Sequence, residues 1–389
     1  MKIFINSYTY TYERHLRMFD FFNNKKDLVF ILPRLWKAKG GKIKVVPPEK
    51  PEYTLITTWA PFYHSHYPVI RGMLKGWMPW CGRILRRLAK PGDVLLSSAE
   101  PNLLTTYLYG RLARRLGLKH VFLTWQNIDY TRRLKGLKLK ITEWLLRENI
   151  RLSAGALCGT RQAYDILKPY LNDEIKTAVI PQSGVDTEIF KPGVVSDFRQ
   201  RHNLHGKIIY LFGAVFDERK GVFTTIQAFQ RTLTQVPEGH LVMIGIGKLW
   251  SSAQELVKKL NLIHKITFIE WLPNNELPGI FASVDILVHP SEPYRDWEEQ
   301  YGWTLLQAQA SGLPVIATTI GAINEAVIDK KTGILVEPKN IDALADAMIY
   351  LARNPEVRKQ MAAAGIAHIN ENFSHVKIAH RLETFLYNL

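Results

Sequence analysis

An acidic residue, a glycine and an amphipathic run lie close together in the stretch WEEQYGWTLLQAQASGLPV, residues 297–315. A glycine followed by a helix N-terminus favours an anion, because the N–H groups of the first turn and the positive end of the helix dipole point the same way. Glu299 beside such a site would repel a bare phosphate. The combination therefore predicts a ligand with phosphate at one point and hydroxyl groups a few ångströms away.

Other chemical motifs in the sequence are incomplete. The GIG at 245–247 lacks the third glycine of a dinucleotide fingerprint, and no strand-borne acid follows about 20 residues later. His64 and His66 have no third ligand nearby, so no metal site is predicted. A glycosidase would need paired acids about 5–10 Å apart, and no second acid stands out. We therefore expect neither a cofactor nor a metal, and not a hydrolase.

Short apolar runs alternate with amphipathic stretches along the chain. The runs predicted as strands are 2–6, 93–98, 120–125, 154–160 and 177–182, and then 207–214, 240–247, 265–271, 284–291, 313–319 and 333–338. Such apolar strands separated by helices are typical of parallel sheets covered on both faces. We predict two doubly wound α/β domains, with the ligand beyond the strand carboxyl ends in a cleft between the facing domains.

The length of 389 residues agrees with two domains. The segment PQSGVDTEIFKPG, 181–193, is rich in Pro, Gly, Ser and Asp and is predicted to join them, which gives domains 1–182 and 183–371. Cys81 and Cys158 are too far apart in sequence to indicate a disulfide framework or a metal site. No run reaches the ~18–20 apolar residues of a membrane span, so we expect a cytoplasmic chain.

The net charge of +16 is unevenly distributed. Residues 1–182 contain 31 Lys and Arg against 13 Asp and Glu, whereas the remainder is close to neutral. An excess confined to one domain predicts an anionic partner, either nucleic acid or a membrane surface.

Several motifs follow one another in a fixed order through the second half of the chain. They are IPQSGVDTEIFKP, FGAVFDERKG, GIGK, VDILVHPS, EEQYGWTLLQAQASGLPVIATTIGAINEAV and TGILVEP. In this order they resemble the retaining glycosyltransferases of family 4, glycosyl transferases group 1, which have the GT-B fold of two Rossmann-like domains. The resemblance covers roughly 177–375 and is weak before it. It implies that the second domain binds a nucleotide-sugar, that the first binds the acceptor, and that a last helix, 372–389, returns to the first domain.

The resemblance also assigns residues. Glu299 is implied to hydrogen-bond the transferred sugar, Lys220 to neutralise the diphosphate as the glycosidic bond breaks, and Gln307 to meet the ribose. The eight helical residues from 299 to 307 are predicted to rise about 12 Å, roughly the distance from a sugar ring across a diphosphate to a ribose, so both side chains can line one ligand. Backbone N–H groups implied to meet the diphosphate are those of Tyr301, Gly302, Trp303 and Thr304; Gly213, Arg219, Trp271 and Leu272 complete the implied donor-binding set.

The sequence departs from the family pattern at two donor positions. Ala214 stands where the family has an arginine, which leaves Arg219 as a substitute, and Gln307 stands where it has a glutamate. These departures favour, as an alternative, a non-catalytic nucleotide-sugar sensor. In the first domain, Gln126 or Asn127 occupies the place of a frequent active-site histidine; either is predicted to contact the acceptor or, alternatively, to cap a helix.

Two basic amphipathic segments lie in the first domain, 80–90 and 132–146. Such segments bind anionic lipid, or they pack one face in the core and expose the other. The charge excess favours the membrane. The residues predicted to face it are Arg83, Arg86, Arg87, Arg132, Arg133 and Lys135.

The sequence thus predicts a cytoplasmic enzyme, peripheral on the inner face of the membrane, in polysaccharide or glycolipid biosynthesis. It would move a sugar from a UDP- or GDP-linked donor to a lipid-linked or glycan acceptor, with retention of configuration and without a metal. A nucleic-acid binder is disfavoured, because the basic runs are interleaved with Leu and Ile more than with stacking aromatics.

Overall fold

The computed structural model describes all residues except 39–40, 46–50, 64–69, 271 and 274. The chain folds as two compact units. Unit 1 comprises Met1–Gly184 and His375–Leu389, and unit 2 comprises Val185–Ser374. The passage from unit 1 to unit 2 falls in the segment 181–193, whose Pro and Gly residues disfavour regular structure.

Unit 1 contains one large parallel sheet and a separate hairpin. Its strands are β1 (Ile3–Asn6), β2 (Leu28–Pro33), β3 (Leu35–Ala38), β4 (Gly41–Lys44), β5 (Thr54–Thr58), β6 (Val94–Ser97), β7 (Lys119–Thr124), β8 (Gly155–Cys158) and β9 (Lys176–Val179). The sheet has the order β5-β2-β1-β6-β7-β8-β9, and β3 pairs with β4 in the antiparallel hairpin. Strands β2 to β5 were not predicted from the sequence.

In the described part of unit 1, seven α-helices connect these strands. They are α1 (Glu13–Leu16), α2 (Ile70–Met73), α3 (Cys81–Leu88), α4 (Leu104–Arg115), α5 (Tyr130–Arg133), α6 (Gly136–Arg151) and α7 (Arg161–Leu167). The predicted segment 132–146 is therefore not one helix. It breaks after Arg133, and Gly136 has a φ of +58°, in the left-handed region that glycine accepts most easily.

Unit 2 is a second doubly wound sheet. Its strands are β10 (Ile208–Gly213), β11 (Gly239–Ile244), β12 (Ile266–Ile269), β13 (Ile286–His289), β14 (Val315–Thr318) and β15 (Gly333–Val336), in the parallel order β12-β11-β10-β13-β14-β15. Its helices are α8 (Phe198–Arg201), α9 (Val222–Thr232), α10 (Trp250–Lys259), α11 (Leu277–Ser283), α12 (Trp303–Ala310), α13 (Ile323–Ala326), α14 (Ile341–Arg353) and α15 (Pro355–Asn372). The strand order reverses between β10 and β13, where such sheets bind ligands.

The predicted fold class is confirmed: each unit contains a parallel sheet whose central strands are apolar and buried, with helical connections. Within the described residues, no helix is long and apolar enough to cross a membrane.

The last helix, α16 (His375–Tyr387), packs in unit 1. The buried carboxylate of Glu383 holds it there. One carboxylate oxygen accepts from the backbone N–H and side-chain amide of Asn23, at 3.0 and 2.9 Å, and the other accepts from the same groups of Asn24, at 3.0 and 3.5 Å. Glu383, in the last helix, thus fixes the turn at Asn23 and Asn24, near the start of unit 1.

We expect Glu383→Ala to lower the free energy of unfolding of unit 1 by about 3 kcal/mol, because hydrogen bonds to charged groups are lost and their donors lose their acceptor. Urea unfolding followed by circular dichroism measures the change. Glu356→Ala is the control: its pair with Lys359 is exposed, so the expected loss is about 0.5 kcal/mol or less. Equal effects of the two changes would refute the role given to Glu383.

Candidate functional site

The switch point of unit 2 brings Lys220 to Glu299. Lys220 follows β10 in a short 3-10 turn, and Glu299 lies in the segment after β13, the neighbouring strand. Gly221 makes this approach possible: its φ is +64°, and a Cβ there would lie 2.1 Å from the carbonyl oxygen of Pro290. A side chain at 221 would therefore push the Lys220 turn away from the end of β13.

A second glycine holds Glu299 from the other side. Gly321 has a φ of +62°, and a Cβ there would lie 1.9 Å from the carbonyl oxygen of Glu299. The same oxygen accepts a hydrogen bond of 3.1 Å from the backbone N–H of Ala322. The loop after β14 thus fixes the backbone of Glu299, and the residue is not carried by a helix.

The Glu299 carboxylate is buried among polar partners. Its Oε2 accepts from Lys220 Nζ and, at 2.9 Å, from Ser291 Oγ, and it lies 3.3 Å from His289 Nε2. Burial raises the pKa of Glu299, but the hydrogen bond to His289 and the charge of Lys220 outweigh it and hold this pKa well below its usual range. Burial also lowers the pKa of His289. At neutral pH the site therefore holds an ionised carboxylate beside a neutral imidazole.

Trp297 lies against the cations of this site. Its ring centroid is 4.8 Å from Arg219 Cζ and 4.9 Å from Lys220 Nζ, within the range of cation–π attraction. No role was predicted from the sequence for Trp297, His289 or Ser291. His289 and Ser291 lie at the end of the motif VDILVHPS, and this position at the carboxyl end of β13 could have indicated a role in the site. No such sequence signal pointed to Trp297.

A cavity of about 280 Å³ opens at the carboxyl ends of β10 and β11. The predicted donor residues Gly213, Leu272, Thr304 and Gln307 line it, together with Ala214 and Glu270. Its walls combine apolar side chains with a few polar groups, which is the usual make-up of a small-molecule site. The structure thus gathers four of the predicted donor residues around one space.

Helix α12 supplies part of this wall. Gly302, with φ +65°, precedes the helix, and a Cβ there would lie 3.1 Å from His289 Nε2. The predicted helical rise between residues 299 and 307 is wrong, because α12 begins only at Trp303. Thr304 and Gln307 are one turn apart on α12 and both face the cavity. Tyr301 is buried, and its hydroxyl lies 3.4 Å from Glu325.

Arg219, the expected substitute for the family arginine, has an acidic partner close to it in sequence. Asp217 accepts from the backbone N–H of Arg219 and from its Nε, both at 3.0 Å, and forms an ion pair with its guanidinium. Ala214, in the place of the family arginine, faces the cavity with its small side chain. Trp271 lies outside the described residues. Among the described residues, no group of three or more His, Cys, Asp and Glu is arranged to hold a metal ion.

The predicted acceptor residues lie in unit 1, after β7. Gln126 donates from its side-chain amide to the carbonyl of Ile128, and the cap of α5 is Asp129, whose carboxylate accepts from the Thr131 N–H at 2.7 Å. The alternative of a capping role for Gln126 or Asn127 is therefore wrong. Burial raises the pKa of Glu100. Its carboxylate accepts a hydrogen bond of 2.7 Å from the Thr124 hydroxyl and so anchors the segment that follows β7.

Comparison with known proteins agrees with this architecture. The crystal structure of Anabaena HepE in complex with UDP matches the whole chain and the whole of that protein, with a TM-score of 0.73 and 16% identity. Sucrose-phosphate synthase from Thermosynechococcus elongatus gives a TM-score of 0.74 at 18% identity, over 99% of this chain and 98% of that one. These likenesses confirm the predicted GT-B fold.

Sequence comparison points to the same group. The D-inositol 3-phosphate glycosyltransferase of Corynebacterium diphtheriae is 29% identical over 57% of this chain and 52% of that protein. The chain spans about half the length of the curated relatives it matches. The profile of the family described as "Glycosyl transferases group 1" matches residues 195–368. Most of unit 2 therefore matches the glycosyl transferases group 1 family.

Proposed function

We propose that this protein is a retaining glycosyltransferase that takes a sugar from a UDP- or GDP-linked donor. The observation that carries the proposal is the ion pair of half-buried Lys220 with buried Glu299 at the switch point of unit 2, beside a cavity lined by Thr304 and Gln307. A cation for a diphosphate and a carboxylate for sugar hydroxyls lie side by side there. HepE with UDP supports a uridine donor, and the name of a GDP-mannose-dependent relative from Mycolicibacterium smegmatis supports a guanosine one.

The proposed donor pose follows the chemistry of the site. The diphosphate lies at Lys220 and the start of α12, the ribose at Gln307, and the sugar at Glu299. When the bond between the anomeric carbon and the diphosphate oxygen breaks, Lys220 and the helix N-terminus stabilise the negative charge on the leaving group. The acceptor oxygen bonds to the same face of the anomeric carbon, and its proton passes to the departing diphosphate. In this scheme no metal is required.

We further propose a lipid-linked or glycan acceptor and an anionic membrane surface as partners of unit 1. The six basic residues predicted to face the membrane are all exposed. The helices of this region also pack against the core, through Cys81 and Leu85 on α3, Tyr130 on α5 and Leu145 on α6. One face of each helix is thus buried, and we propose that the exposed basic residues bind an anionic surface. The relative from Mycolicibacterium smegmatis is named for a phosphatidylinositol mannoside acceptor.

The first prediction separates the two partners in the ion pair. We expect Lys220→Met to weaken binding of both the nucleoside diphosphate and the nucleotide-sugar by at least tenfold, because a charge-assisted contact of about 1.5–3 kcal/mol is lost. Glu299→Gln should weaken only the nucleotide-sugar, and plain diphosphate should bind as well or better once Lys220 is released from the carboxylate. Calorimetry, with the nucleotide chosen first by thermal shift, measures both constants.

The double variant Lys220→Met with Glu299→Gln is the control, because each single change leaves a buried charge without its main partner. It should match Lys220→Met in diphosphate affinity while restoring thermal stability. If both single variants weaken both ligands equally, the assignment of sugar and diphosphate to separate residues fails.

The second prediction concerns the missing arginine. Ala214→Arg should tighten nucleoside diphosphate binding about tenfold, because it adds a guanidinium at the cavity wall. Ala214→Met, which adds a flexible side chain without charge, should not. If Met and Arg variants behave alike, cavity volume and not charge matters at this position.

The third prediction concerns the reaction. We expect slow donor hydrolysis or transfer to persist in EDTA, and the product to keep the anomeric configuration of the donor, as read by proton NMR. An inverted product would exclude the retaining mechanism. Tight donor binding with no turnover against any lipid or glycan acceptor would favour the sensor instead, to which Ala214 and Gln307 point.

A further inference from the structure

Four arginines line one cavity of unit 1. The cavity has a volume of about 460 Å³ and lies between the last turns of α4 and α6. We call its lining residues the arginine groove: Tyr107, Arg111, Arg114, Arg115, Arg151 and Leu152. Among the described residues, the only acid in an ion pair with them is Glu148, 2.7 Å from Arg151. The groove therefore keeps a formal excess of three positive charges.

The local fold explains part of this arrangement. Arg114, Arg115 and Arg151 lie in the last turns of their helices, where the negative end of the helix dipole stabilises a cation. That effect accounts for an arginine at each helix end. It does not account for four guanidinium groups around one open space, where they repel one another. An anion in the groove would remove this repulsion.

An apolar stripe adjoins the groove. Leu137, Ile141 and Trp144 follow one another at helical spacing along α6 and are 73%, 42% and 51% exposed. The Trp144 ring centroid is 5.6 Å from that of Tyr107, and Arg111 Cζ is 5.7 Å from the same Tyr107 ring. Tyr107 thus joins the stripe to the groove. A cationic pocket continuous with exposed Trp, Ile and Leu matches an amphiphile that has an anionic head.

We propose that the arginine groove binds the phosphate of a phosphomonoester headgroup on a bilayer lipid, while Leu137, Ile141 and Trp144 enter the boundary of the acyl layer. The inference rests on the membrane part of the proposed function and not on sugar transfer. The groove lies where α4 and α6 lead into the amino ends of β7 and β8. The predicted acceptor residues Gln126 and Asn127 follow the carboxyl end of β7. The length of this strand, roughly 17 Å, separates them from the groove at its amino end.

The charge of the groove selects the headgroup. Guanidinium groups bind phosphate oxygens in paired hydrogen bonds, and four of them offer many more donors than one phosphodiester can accept. A phosphomonoester presents three terminal oxygens and about −1.5 to −2 charges near neutral pH, as a phosphorylated side chain does. It therefore matches the excess of three positive charges better than a phosphodiester of single charge.

Vesicle co-sedimentation of the full chain tests the proposal. Phosphatidylcholine vesicles carry either phosphatidic acid, a phosphomonoester, or phosphatidylglycerol, a phosphodiester, at matched surface charge. We expect at least tenfold tighter binding to phosphatidic acid. Changing Arg111, Arg114 and Arg115 together to Gln should abolish that preference. The matched control changes Arg83, Arg86 and Arg87 to Gln, which removes the same charge from α3. It should weaken binding to both kinds of vesicle equally and keep the preference for phosphatidic acid.

Two further arms distinguish a lipid from a soluble phosphate. Ile141→Ser with Trp144→Ser should weaken binding to both vesicles about tenfold, and free glycerol 3-phosphate should bind at least a hundredfold more weakly than the vesicles. The proposal is overturned if the wild type shows no preference, if the two arginine triples weaken binding alike, or if glycerol 3-phosphate binds as tightly as vesicles. Nucleoside diphosphate binding by unit 2, measured on the same variants, reports on the donor site separately.

Discussion

The ion pair of half-buried Lys220 with buried Glu299 is the constraint on which the site of unit 2 depends. Neither charge can be buried alone without a cost of several kcal/mol, so the loops after β10 and β13 must reach the same point. The sheet provides this, because its strand order reverses between these two strands. Gly221 and Gly321 then allow backbone contacts that any Cβ would prevent. Two left-handed glycines and one strand crossover are thus consequences of a single ion pair.

The same pair explains why one site suits a ligand with two kinds of group. While Lys220 and Glu299 neutralise each other, a ligand gains only the difference between its contacts and those it breaks. A bare phosphate would take Lys220 and leave the carboxylate of Glu299 with Ser291 and His289 alone. A ligand that also presents hydroxyl groups gives the carboxylate new donors. The low pKa of Glu299 keeps it an acceptor throughout the physiological range, so this match does not depend on pH.

The sequence allowed prediction of the central strands but not of the edge of the unit 1 sheet. Central strands are apolar on both faces and stand out as continuous runs, as β6 and β10 do. Strand β5 is half-exposed, and β2 runs directly into a hairpin, so neither is bounded by clear turn signals. In the site, ordered motifs located Glu299 and Lys220. Trp297 and Glu100 could not be found, since each matters only through neighbours that are distant in sequence or fixed by loop geometry.

The basic residues of the two units differ in whether an acidic residue of the same unit pairs with them. In unit 2, the half-buried cations Arg199, Arg219 and Lys220 pair with Asp285, Asp217 and Glu299, respectively. Unit 1 carries the excess, and its helices expose arginines that the core does not need. Repulsion among like charges destabilises a fold unless something outside the chain offsets it. The convergence of four arginines beside an exposed apolar stripe is therefore better explained by an external anion than by the stability of α4 and α6.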